Sequence, residues 1–115
     1  MHRIRCLGGF ALTDAEGRDV ELPTRKCEAL LAVLAVQGRD GMGRDALAAL
    51  LWPDMAERQA RANLRQNLSM VRKAAGDLVH GDGDRLRLDG ARADSDVDAL
   101  RHVLEGGGEV DAIAD

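Results

Sequence analysis

The residues with the clearest chemical potential lie between Pro53 and Gly76: Arg58, Arg61, Arg65, Gln66, Ser69, Arg72 and Lys73. Glu57 is the one acid from Met55 to Ala75, so this stretch carries a net charge of +4. A guanidinium can span the O6 and N7 acceptors of guanine, and a carboxamide can span the adenine edge. Arginine, lysine and serine can also hold phosphate oxygens. Recognition of a polyanion is therefore the chemistry these residues suggest. The whole chain of 115 residues has a net charge of −4, and Asp89–Asp115 alone carries −6. Local charge, not the mean, sets the footprint presented to a polyanion.

Bond-making chemistry finds no comparable support. Ser69 and Ser95 have no histidine at local spacing, and His2, His80 and His102 are scattered without ligand spacing. Gly81-Asp-Gly-Asp84 is too short for a calcium loop and reads as a turn. Asp94, Asp96 and Asp98 suit a solvated helix N-terminus. Gly106-Gly-Gly108 lacks the strand and Lys-Ser/Thr of a phosphate cradle and reads as a helix stop. No enzyme, cofactor or metal is expected. Cys6 and Cys27 read as reduced core thiols. The start MHRIRCLGGF lacks a signal peptide's apolar stretch and no run approaches a membrane span, so a cytoplasmic location is expected.

The elements that must position the basic stretch follow from periodicity. Ile4 and Cys6 alternate with arginines, Gly8-Gly9 permits a turn, and Phe10–Leu12 follows. A second turn at Asp14–Gly17 leads to alternation through Val20 and Leu22, ended by Pro23. These predict three short antiparallel strands that must pack on helices. Thr24 is placed to cap a first helix whose Cys27, Leu30, Leu31 and Leu34 form one stripe. A short second helix is expected over Arg44–Leu51, burying Leu47, Leu50 and Leu51, before Trp52 as a core anchor and Pro53 as a stop. Asp54 is placed to cap a third helix, Met55–Ala75, that Gly76 ends. At 100° per residue, Ala60, Leu64, Leu68, Val71 and Ala75 fall within about 40° of one direction, and Arg58, Arg61, Arg65 and Arg72 sit about 60–120° away. Leu78–His80 and Arg85–Leu88 then predict a hairpin with Leu86 and Leu88 inward and Arg85 and Arg87 outward. Asp94–Leu104 reads as a further amphipathic helix that needs a partner surface for Val97, Leu100, Val103 and Leu104.

A basic helix face is most often simply a solvated one. Here its context is a short helix, a tight Trp-Pro-Asp turn and a glycine-tipped hairpin, the sequence form of a winged helix-turn-helix. The runs LPTRKCEALLAVLA, RDALAALLWPD, RANLRQNLSMVRKAAG and DSDVDAL, in that order, also resemble the start of SARP-type transcriptional regulators. That resemblance implies an OmpR-like winged-helix domain over residues 1–90 and the start of a helical bacterial transcriptional activation domain over 91–115. It further implies a four-stranded N-terminal sheet, homodimeric binding to direct repeats of double-stranded DNA near promoters, and contacts to RNA polymerase beside Trp52. The fold expected is thus α+β: an N-terminal antiparallel sheet, three helices and a C-terminal β-hairpin wing. Arg58, Arg61, Arg65, Gln66 and Ser69 would face the major groove, Arg72 and Lys73 phosphate, and Arg85 and Arg87 the DNA from the wing. The rival reading is a winged-helix module that binds protein instead of DNA, favoured by the overall acidity and low aromatic content.

Overall fold

The computed structural model describes residues 1–102 and Leu104. Within them the chain forms an α+β fold of four α-helices and two small three-stranded sheets. The first sheet begins with β1 (His2–Arg5) and β2 (Ala11–Thr13), paired antiparallel so that Ile4 lies opposite Leu12, both buried. The loop after β2 is held by Asp14, whose carboxylate accepts the backbone N–H groups of Glu16 and Arg18 at 2.9 Å and Arg18 Nε at 3.1 Å. The strand expected through Val20 and Leu22 is reduced to one bridge, Thr13 to Asp19, although Val20 and Leu22 still pack half-buried on the core.

The third place in that sheet goes instead to β6 (Ala93–Ser95), which runs parallel to β1 with Ile4 opposite Ser95. The sheet is therefore mixed rather than antiparallel, and it joins the two ends of the described chain. Alternation announces a strand but not its partner, and a parallel pairing needs a long crossover, here the whole helical body. The helix expected from Asp94 correspondingly starts later, as α4 (Asp96–His102). Buried Ser95 serves as its cap, its Oγ accepting the Asp98 N–H at 3.0 Å. The α4 helix lies against α1 (Arg25–Gln37) and β1.

Helix α1 is built as its sequence predicts. Thr24 Oγ1 accepts the Cys27 N–H at 3.0 Å, and Cys27, Leu30, Leu31 and Leu34 are fully buried. A short 3₁₀ turn, Gly38–Asp40, leads through Gly41 to β3 (Met42–Gly43). Gly41 has φ +64°, and a Cβ there would collide with the Leu86 carbonyl oxygen, so only glycine fits. In α2 (Arg44–Leu51) the buried face is Leu47, Ala48 and Leu51. Leu50, expected inside, is 54% exposed. At 100° per residue it lies about 105° from the centre of that face.

Trp52 closes α2 and is buried, with the Lys26 ammonium 5.7 Å from its ring centroid and bonded to the Leu51 carbonyl. A turn in which Met55 N–H donates to Trp52 O carries Asp54 clear of the next helix, so Asp54 is not its cap. Helix α3 (Glu57–Ala75) begins at Ala56 without a side-chain cap and ends at Gly76, whose N–H donates to Arg72 O at 2.8 Å and whose φ of +83° turns the chain out of the helix. Its buried stripe is Ala60, Leu64, Asn67, Val71 and Ala75, with Leu68 only half-buried. The second sheet, in the order β3-β5-β4, contains the hairpin of β4 (Val79–Asp82) and β5 (Arg85–Leu88). Asp82 pairs with Arg85, so the turn is the two residues Gly83-Asp84 rather than four, with φ +61° at Gly83. Leu86 is buried and Leu88 half-buried, while Arg87, between them on the strand, is half-buried. Among the described residues no helix is long and apolar enough to cross a membrane.

Candidate nucleic-acid interface

Because α3 buries one stripe, it must display the others. Arg58, Arg61, Arg65, Gln66, Ser69, Arg72 and Lys73 are all exposed along its nineteen residues. The structure thus brings together on one helix the seven α3 positions singled out by sequence. It also divides their charges into two groups. Arg61 Nε lies 3.0 Å from Asp45 in the first turn of α2, and Arg72 Nε lies 3.2 Å from Asp77 just past the end of α3. Both pairs are about half-exposed or more, where such pairs contribute roughly 0–1 kcal/mol. A phosphate can therefore replace either acid at little cost. Arg58, Arg65 and Lys73 have no ion-pair partner among the described residues.

The hairpin arginines are placed differently. Arg85 turns back onto the 3₁₀ turn, donating from Nε to Asp40 O at 3.0 Å and from Nη2 to Gly41 O at 3.2 Å. It fastens β5 to the body of the fold. Arg87 lines a broad cleft of about 910 Å³ shared with the C-terminal end of α1 and with β6. The hairpin tip itself presents Asp82 and Asp84, both exposed.

Arg44 escaped the sequence reading, since no local pattern marks it. Its N–H donates to Asp84 O at 2.8 Å and its Nε to Gly83 O at 3.4 Å. Its guanidinium lies so close to Gly81 that a Cβ there would sit 2.7 Å from Nη2. Together with Arg72, Leu68 and Leu86 it lines a cleft of about 180 Å³ between α3 and the hairpin. Asn67 was also missed, because it occupies a helical position where the apolar stripe predicts a hydrocarbon.

Cys27 is a buried thiol and Cys6 a half-buried one, neither in a disulfide. Burial pushes the Cys6 thiol up, and the nearby Asp96 charge adds to the effect. Among the described residues no three His, Cys, Asp or Glu side chains gather as a metal-holding group. Comparison with protein-family models, with curated proteins and with solved structures returns no match.

Proposed function

We propose that this chain is a DNA-binding domain of winged helix-turn-helix form, belonging to a transcriptional regulator that acts in the cytoplasm. In this reading α2 and α3 are the helix-turn-helix pair, α3 enters the major groove, and β4–β5 is the wing. Arg58, Arg65, Gln66 and Ser69 meet base edges, Arg61 and Arg72 exchange their acidic neighbours for phosphate, and Lys73 meets phosphate directly. Homodimeric binding to direct repeats and contact with RNA polymerase belong to the same proposal. The observation that carries it is α3 itself, which has one buried stripe and an exposed face of cations and amides after Glu57. Arg85 serves the fold in this reading, and Arg44 joins Arg72 at the junction with the wing.

The rival, a protein-binding module, draws on Leu50 near the end of α2 and Met55 in the α2–α3 turn, 54% and 45% exposed, and on the acidic hairpin tip. Selection from a pool of random duplexes, followed by gel shift at several salt concentrations, separates the two. DNA binding requires an enriched sequence and an affinity falling with salt at about −0.9 in log–log slope per phosphate neutralised. No enrichment, with affinity flat in salt, leaves the protein-binding module as the better account.

A further inference from the structure

Among the described residues only Asn67 and Ser95 are buried polar side chains. Ser95 caps α4, which accounts for it. Asn67 needs a different explanation, because Leu64 and Val71 on the same stripe show that a hydrocarbon suits this face. A buried carboxamide is tolerated only if its polar atoms find partners. Asn67 Oδ1 accepts the Thr24 hydroxyl at 2.7 Å and the Cys27 thiol at 3.2 Å, and Nδ2 donates to Asn63 O at 2.9 Å. The same Thr24 hydroxyl accepts the Cys27 N–H that caps α1. The middle of α3 is thereby bonded to the first turn of α1.

Apolar packing holds a helix against its neighbours without specifying its rotation closely, whereas hydrogen bonds weaken steeply with misalignment. Side-chain tips stand about 5–6 Å from a helix axis, so a rotation of about 20° displaces them by about 2 Å. A shift of that size breaks a bidentate contact with a base edge. We infer that Asn67 is a positioning residue for base recognition: clamped by Thr24 and Cys27, it fixes the rotation of α3 and so the angle at which Arg65, Gln66 and Ser69 meet DNA. This rests on the reading of α3 as the DNA-reading helix.

The test uses the full chain and the duplex that the unmodified protein selects from a random pool. Affinities are measured for that duplex, for its single-base-pair substitutions and for a scrambled duplex, at a temperature where melts show each variant folded. Asn67→Leu and Thr24→Val should cut discrimination from roughly tenfold or more per mismatch to about threefold or less, leaving scrambled-duplex affinity and salt slope unchanged. Thr24→Ser, which keeps the hydroxyl, should retain the parent's discrimination. A merely structural role would weaken all duplexes alike and leave the ratios intact. Unchanged ratios in Asn67→Leu and Thr24→Val overturn the inference, as does a loss in Thr24→Ser equal to that in Thr24→Val. Should Asn67→Leu not fold, the two Thr24 variants decide it. An unmodified protein that selects no sequence overturns the reading of α3 itself, which is a distinct outcome.

Discussion

An arginine's usefulness to DNA depends on what already holds it. Arg85 is committed to two backbone carbonyls, and Arg61 and Arg72 have acids at 3.0 and 3.2 Å. Arg65 has no such partner and stands one residue past the buried Leu64. Lys73 lies two turns later near the end of α3, where a recognition helix leaves the groove. Arg65→Ala is therefore predicted to cost on the order of 1–3 kcal/mol at one base position and to relax specificity there. Lys73→Ala should weaken all sequences alike and shallow the salt slope by about 0.9, one phosphate's share. A base-substitution binding panel, with thermal melts as folding control, distinguishes them; an even loss across the panel for Arg65→Ala makes it a phosphate anchor only. Residue types and helical spacing made the cations legible in the sequence. Their partners were not, because Asp45 belongs to another helix and the carbonyls that hold Arg85 belong to a backbone turn.

Elements are most legible where their signals are local. Thr24, Gly76 and the Leu30/Leu31/Leu34 stripe place α1 and the end of α3 because caps and stripes act within a few residues. Strand β6 and the burial of Asn67 depend on what the chain meets far away, and spacing is silent about that. The attachment of α4 has the same non-local origin. The Asp96 carboxylate accepts the N–H groups of Cys6 and Leu7, each at 2.9 Å, hitching the start of α4 to the end of β1. Burial works against its charge and is the largest single influence. The N–H groups of Cys6, Leu7, Val97 and Asp96 itself together outweigh it and hold the carboxyl below the usual range. A folded-state pKa below the unfolded value of about 3.9 gives stability that is present above that pH and lost as pH falls through the folded value. Asp96→Asn should thus be less stable than the parent by about 1 kcal/mol at neutral pH. The gap should close as the pH drops below about 4. Urea unfolding of both proteins across pH tests this, and a gap that persists undiminished at pH 3 would sink the assignment.

At the scale of the whole molecule the charge is divided against itself. Met55–Ala75 carries +4 and Asp89–Asp115 carries −6 on a chain of net −4. This division depends on composition along the chain, so it was fully legible before any fold was known. Its kinetic consequence follows from screening. Beyond the Debye length, about 8 Å at physiological salt, only a weak residue of the net charge is felt, and that charge repels DNA. Within it, the exposed face of α3 dominates. Such a protein gains no long-range steering, so its association rate should sit near the unsteered range of about 10⁵–10⁶ M⁻¹s⁻¹. Added salt screens the distant repulsion and the close attraction together, leaving association flat or slightly faster. Dissociation meets only the close contacts, and it should quicken steeply as counterions compete for the phosphates. The predicted salt dependence of affinity therefore resides in the dissociation rate. Stopped-flow association and competitor-chase dissociation on the selected duplex, between roughly 50 and 200 mM salt, measure the two limbs separately. An association rate that falls as steeply as the affinity would show instead that the basic face steers DNA from a distance. The acidic remainder of the chain would then have to lie turned away from the approaching duplex.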